Sequence, residues 1–89
     1  MSMNWEYRVT FRNKSEVPTY YVREVWYNDD WDVILYSKDP SVPSGDIPEE
    51  LYEDHCKMMK AFDQPPLNLD YIDYLIEVRK KNERKSNSN

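Results

Sequence analysis

The sequence has 89 residues and a formal net charge of −5; 39% of the residues are hydrophobic and 15% are aromatic. A chain of this length can build one small core, so we expect a single domain with a stability of about 5–10 kcal/mol. The single cysteine excludes an intrachain disulfide, and no stretch approaches the ~20 apolar residues of a membrane span. These features predict a soluble, cytoplasmic protein.

Residues 5–11 alternate between apolar and polar side chains. The apolar positions are Trp5, Tyr7, Val9 and Phe11. A period of two is typical of a half-buried strand. We therefore expect this apolar face to pack on the core, and the opposite face, which carries Arg8 and Thr10, to face solvent.

A second strand is predicted at residues 19–27 and a third at residues 32–37, joined by a tight turn. Both faces of the second strand carry aromatic side chains, so its inner face stays open. Trp31 stands where such a turn usually has glycine, so we expect Asp30 to adopt the positive φ, or a longer loop. The three strands together predict an antiparallel meander.

Residues 46–62 carry the pattern of an amphipathic helix. Asp46 and Glu49 suit a capping box, and Pro48 suits the first turn. Apolar positions recur at spacings of three and four, at Ile47, Leu51, His55, Met58, Met59 and Phe62. This apolar stripe is typical of a helix face that covers a sheet. The predicted fold class is α+β, with one helix across three strands.

Two prolines at 65 and 66 end this helix, and Asn68 or Asp70 can cap a second helix running to about Arg84. The predicted organisation is a core domain at 1–69, a C-terminal helix at 70–85 and a disordered tail at 86–89. The second helix has apolar positions on two sides, at Tyr71, Ile72, Leu75, Ile76 and Val78. One small sheet cannot cover both sides, so we expect this helix to form a homodimer or to dock a partner.

Charge is distributed unevenly along the chain. Between Glu24 and Asp54 there are ten acidic residues and one lysine, whereas residues 79–85 contain five basic residues and one acidic residue. An acidic surface of this kind disfavours direct binding of nucleic acid.

No motif in the sequence predicts catalysis or metal binding. His55 and Cys56 are neighbours on a helix and point about 100° apart, so they do not form a nucleophile pair. Asp29, Asp30 and Asp32 lack the glycine and glutamate of a calcium loop. We therefore expect a protein that is not an enzyme and that uses no cofactor or metal.

Several segments resemble a widespread group of short uncharacterised bacterial proteins. They are WEYRV at 5–9, EVWY at 24–27, PSVPSG at 40–45, EEL at 49–51 and PPL at 65–67. The resemblance covers Trp5 to about Leu69. The order strand, strand, strand, helix is also similar to antitoxin domains of the HicB type. The first resemblance implies a fold and no activity, so function has to be argued from the residues.

The surplus of aromatic side chains predicts a surface that binds another protein, because exposed Tyr and Trp often anchor interfaces. The candidate binding residues are Trp26, Trp31, Tyr27, Tyr36, Glu50, Glu53 and Asp54. The alternative is an antitoxin-like or phage-type inhibitor whose carboxylates mimic nucleic acid and block a basic groove on a partner protein.

Overall fold

The computed structural model describes residues 4–13 and 16–87. Within them the chain forms four strands, two α-helices and one short 3-10 helix. The strands are β1 (Asn4–Phe11), β2 (Tyr21–Tyr27), β3 (Val33–Tyr36) and β4 (Leu67–Asn68). The helices are α1 (Pro48–Met59), the 3-10 helix (Lys60–Asp63) and α2 (Leu69–Asn87). Of the predicted disordered tail, Ser86 and Asn87 belong to α2, and Ser88 and Asn89 lie outside the described residues.

The α+β class is confirmed, but the predicted three-stranded sheet is only part of the observed one. The strand order is β3-β2-β1-β4, and β1, β2 and β3 pair antiparallel, as in the predicted meander. β4 adds a fourth strand parallel to β1, with Thr10 opposite Leu67. Pro65 and Pro66 favour an extended backbone just before β4, and two residues are too few to show a period. The sheet is therefore mixed.

The first face of the sheet packs against α1, and we call it the α1 face. Tyr7 and Val9 are buried on it in a cluster with Met58 and Ala61, and Val22 packs against this cluster. The predicted core side of β1 is thus confirmed at its centre. Its two ends are more open, since Trp5 is 46% exposed and Phe11 is half-buried.

The opposite face, which we call the α2 face, was predicted to be solvated, and that prediction is wrong. Arg8 and Thr10 on this face are buried, with exposures of 8% and 1%. Val25, on the same face of β2, is fully buried, and its cross-strand neighbour Tyr36 donates a hydrogen bond to Asp73 of α2. The second helix therefore packs on this face beside β3, and the polar positions Arg8 and Thr10 of β1 are interior ones.

The apolar stripe of α1 does not cover the sheet, contrary to prediction. Met58 is its buried member, whereas Leu51, Met59 and Phe62 are 43%, 58% and 71% exposed. Asp54, Met58 and Ala61 follow one another at spacings of four and three and form the row that faces the sheet. The face of α1 that contacts the sheet therefore includes a carboxylate. It is rotated about the helix axis from the predicted stripe, with which it shares Met58.

The start of α1 differs in detail from the predicted capping box. Ile47 occupies the cap position without a side-chain hydrogen bond, and Pro48 follows in the first turn as predicted. Glu50, instead of Glu49, accepts a hydrogen bond from the Asp46 backbone N–H at 3.0 Å. The helix start is held by this contact and by close packing of Gly45 on the backbone of α1.

The β2–β3 turn places Trp31, not the predicted Asp30, at positive φ, with a value of 62°. The side chain of Asn28 accepts hydrogen bonds from the backbone N–H groups of Asp30 and Asp32, both at 2.9 Å. The Trp31 ring lies 5.4 Å from the Tyr27 ring, between centroids. These contacts offset part of the strain of a left-handed tryptophan.

The burial of α1 predicts that two neighbouring methionines respond very differently to substitution. Met58→Ala should lower the free energy of unfolding by about 2–4 kcal/mol, because it empties a core position. Met59→Ala is the matched control and should change it by less than about 0.5 kcal/mol. Denaturant unfolding measures both. Equal losses at the two positions would contradict the observed orientation of α1.

Gly45 should be intolerant of any side chain. A Cβ at this position would press on the backbone N of Leu51 and on the main chain of Glu50. Gly45→Ala should therefore destabilise the fold by about 1–3 kcal/mol, the usual cost of overpacking. Ser44→Ala at the exposed neighbouring position keeps the backbone N–H and should be nearly neutral. A neutral Gly45→Ala would mean that α1 starts elsewhere.

Candidate interaction surfaces

The predicted binding residue Tyr36 is half-buried in a polar network between the sheet and α2. The Arg12 guanidinium donates hydrogen bonds to Asp70 and Asp73 of α2 at 3.0 and 2.9 Å. It donates another to the Tyr36 hydroxyl at 2.6 Å. That hydroxyl donates to Asp73 at 2.6 Å. Burial and then the bond to Asp73 raise the pKa of Tyr36. Tyr36 thus positions α2 and offers little free surface.

Tyr27, also predicted as a binding residue, is buried on the α2 face with 5% exposure. Its hydroxyl donates to Glu6 at 2.9 Å and accepts from Arg8 at 3.0 Å. Arg8 also donates to the backbone carbonyl of Pro65 at 2.7 Å. This arrangement satisfies the buried hydroxyl and fixes the segment that precedes β4. Tyr27 is therefore part of the interior and offers little surface to a partner.

Asp54 was predicted as part of an acidic binding surface, but its carboxylate accepts hydrogen bonds from other segments of the same chain. It accepts hydrogen bonds from the backbone N–H of Ser44 at 2.9 Å and from the Tyr7 hydroxyl at 2.8 Å. The bond from Ser44 and then the bond from Tyr7 lower the pKa of Asp54. Burial and the same bond raise the pKa of Tyr7 to about 12. Asp54 joins β1, α1 and the segment that precedes α1.

Glu50 and Glu53 are exposed on α1, as predicted. Glu50 accepts a hydrogen bond from the backbone at the helix start and remains exposed. In the described part of the chain, neither glutamate forms a salt bridge. These two carboxylates are open to a partner.

The two predicted tryptophans lie in different places. Trp31 is 63% exposed at the hairpin tip. Trp26 is half-buried on the α1 face, where it is paired with Trp5 of β1 and Leu35 of β3. We call Trp5, Trp26 and Leu35 the sheet row; its outer members are 46% and 51% exposed. Trp5 and Leu35 were missed because strand register cannot be read from the sequence.

A larger apolar surface lies along α1. We define the α1 stripe as the exposed members of the predicted apolar stripe, namely Ile47, Leu51, His55, Met59 and Phe62. Next to it is an open groove of about 310 Å³, lined by Pro43, Pro48, Leu51, Tyr52 and His55. His55, a member of the predicted apolar stripe, is exposed, and Cys56 is half-buried. The α1 stripe is therefore a surface that residues 4–13 and 16–87 leave uncovered.

Metal-ligating side chains do not gather in the described residues. In residues 4–13 and 16–87, no three His, Cys, Asp or Glu side chains are arranged to hold an ion. The helices found in this part of the chain include none that is both long and apolar enough to cross a membrane.

The chain matches no family model, no curated protein and no solved structure. The resemblance to short bacterial proteins and to HicB-type antitoxins therefore stays a prediction. Function has to be inferred from the surfaces described above.

The lowered pKa of Asp54 predicts how stability depends on pH. Because the ordinary value is 3.8 and the folded value lies below it, the ionised carboxylate stabilises the fold above about pH 4. This contribution is lost as the pH falls through the folded pKa. Asp54→Asn should lower stability near neutrality and flatten the acid side of the stability curve.

Glu53→Gln removes the same charge from the adjacent exposed position and serves as the control. Thermal unfolding measured from pH 2 to pH 7 compares the variants. A curve for Asp54→Asn that parallels the wild type at low pH would contradict the internal role of Asp54.

Proposed function

We propose that this chain is a non-catalytic protein-binding module of the cytoplasm, with the α1 stripe as its main contact surface. The α1 stripe has the sequence pattern of a buried surface but is exposed in the structure. The spacing of the stripe is typical of a helix face made for burial, yet Leu51, Met59 and Phe62 remain 43–71% exposed. A partner protein would provide the missing cover.

The geometry suits recognition of a helix by a groove. Leu51, His55 and Met59 follow one another at spacings of four on α1, the pattern by which an amphipathic helix inserts side chains into a hydrophobic groove. Phe62 continues this surface in the 3-10 helix. Burial of apolar surface contributes about 25 cal/mol per Å². A groove that covered three such side chains would therefore gain several kcal/mol before the costs of association.

Exposed aromatic side chains of the sheet provide a second contact in this proposal. The sheet row lies on the α1 face, and Trp31 projects from the hairpin tip. Tryptophan is among the residues that most often dominate binding energy. Trp26 and Trp31 therefore keep the role that the sequence predicted.

The alternative function is an antitoxin-like or phage-type inhibitor that presents carboxylates to a basic groove on its partner. Glu49, Glu50 and Glu53 favour it, because they are exposed on α1, the helix that carries the stripe. In this case affinity would depend steeply on salt, since exposed charges are screened within about 10 Å at 0.1 M.

The protein bound in this proposal can also be a second copy of the same chain, held in a homodimer through α2. Ile72 of α2 is used against the sheet, but Tyr71 and Tyr74 are 57% and 62% exposed on its outer side. Their rings stack with 6.5 Å between centroids. Self-association would bury this pair, and light scattering of a Tyr71→Ala and Tyr74→Ala double variant would show a loss of the dimer.

The central experiment is affinity capture from the native cell, followed by binding measurements with purified partner. Leu51→Ala and Phe62→Ala should each weaken binding by about 2 kcal/mol or more, as expected of desolvated anchors. Both should leave the unfolding midpoint nearly unchanged, because the side chains are exposed in the free chain. Val17→Ala, at an exposed position between β1 and β2 that belongs to none of these surfaces, is the control.

Salt titration separates the two functions. A weak dependence on salt supports the apolar contact. A steep dependence, with loss of binding on Glu50→Gln and Glu53→Gln, would instead support the inhibitor of a basic groove. A partner whose affinity is insensitive to all four variants would contradict both.

A further inference from the structure

A concave site lies beside the sheet row, between the start of β1 and the end of α1. Its volume is about 340 Å³, within the range of ligand sites. The lining residues are Trp5, Glu6, Tyr7, Lys57, Lys60 and Gln64. We call it the Trp5 cavity. It shares no lining residue with the groove beside the α1 stripe.

The charge of the Trp5 cavity is opposite to that of the whole protein. Lys57 and Lys60 are both exposed, and no salt bridge in the described part of the chain involves either of them. The charge of Lys57 acts on Asp54, where it adds to the hydrogen bonds that lower the pKa of that carboxyl. Lys60 is therefore the more available of the two cations. Glu6 also lines the cavity, but its carboxylate accepts hydrogen bonds from Arg8, Tyr27 and Gln64. The charge of Glu6 is thus largely offset by Arg8. The site therefore presents two ammonium groups on a protein of net charge −5.

The floor of the Trp5 cavity is aromatic. The Trp5 ring meets the Tyr7 ring edge to face, with 5.3 Å between centroids and 85° between planes. The Tyr7 hydroxyl donates a hydrogen bond to Asp54, so its proton is not available to a ligand. Trp5 remains 46% exposed and continues into the sheet row toward Trp26 and Leu35. An apolar surface thus leads directly to a pair of cations.

We propose that the Trp5 cavity binds an acidic peptide segment of a protein partner. A carboxylate of the segment lies between Lys57 and Lys60, and a neighbouring apolar residue packs on Trp5 and the sheet row. The charge complementarity is local, so it selects an acidic partner here even though the net charge of the chain favours a basic one. The extended sheet row gives a peptide more contact than a small free anion would have.

This inference stands apart from the role of the α1 stripe, and its test uses different variants. A library of random twelve-residue peptides is selected for binding to the wild-type protein and against binding to Trp5→Ala. The retained peptides should be enriched in Asp or Glu next to an aliphatic or aromatic residue. Trp5→Ala should weaken a synthetic peptide of that kind at least about tenfold.

Each lysine should contribute as a partly solvated ion pair does. Lys57→Gln and Lys60→Gln should each weaken binding of the same peptide by about two- to fivefold. Lys80→Gln and Lys81→Gln remove equally exposed charges from α2 and serve as controls without effect. Circular dichroism confirms that the variants remain folded.

Three outcomes of the peptide experiments would overturn the proposal. They are a library that yields no peptide dependent on Trp5, retained peptides that are basic or purely apolar, and lysine variants that bind like the controls. A free aromatic carboxylate that binds as tightly as the peptide would assign the cavity to a small ligand and also contradict it. None of these results would affect binding through Leu51 and Phe62, so the two proposals fail separately.

Discussion

The attachment of α2 to the sheet through Arg12 is the interaction on which the rest of the structure depends. Arg12 follows β1 and bonds to Asp70 and Asp73 on α2 and to Tyr36 on β3, so it joins three segments that are distant in the sequence. An exposed ion pair contributes little by itself, but these partners are shared, and Tyr36 is bonded to Asp73 in turn. The bond to Asp73 also raises the pKa of Arg12 above its ordinary value, because the folded arrangement favours the charged guanidinium.

Because α2 takes one face of the sheet, this small protein distributes its core over both faces. Val25, Leu69 and Ile72 are buried on the side of α2, and Tyr7, Val9, Met58 and Ala61 on the side of α1. Each layer is thin, and α1 touches the sheet mainly through its last turn and the 3-10 helix that follows. The remaining apolar side chains of α1 lie outside this contact and form the exposed α1 stripe.

The sequence predicted those elements whose signal is local. The period of two at Trp5 to Phe11 predicts β1, and the two prolines at 65 and 66 end the first helical region. Of the two proposed caps of α2, the structure uses Asn68. What could not be predicted depends on distant partners. Arg8 and Thr10 look solvated in the sequence, but Arg8 bonds to Pro65 and Thr10 bonds to Tyr21. Leu51 and Phe62 look buried, but α1 faces β1 through Asp54, which bonds to Tyr7. At the candidate surfaces, Trp31, Glu50 and Glu53 are exposed as predicted, whereas Trp5 and Leu35 join Trp26 only through strand register.

The exposure of the α1 stripe in the free chain is the central claim, and one measurement addresses it directly. Met58 and Met59 are adjacent in the sequence, but Met58 is 8% exposed and Met59 is 58% exposed. The ε-methyl group of each residue is a probe of this difference. Nuclear magnetic resonance of methyl-labelled, monomeric protein with a soluble paramagnetic agent reports the solvent contact of each. We expect strong broadening of the Met59 methyl signal and little of the Met58 signal. Equal protection of both methyl groups in the monomer would mean that the stripe is core after all, and would contradict its role as a binding surface.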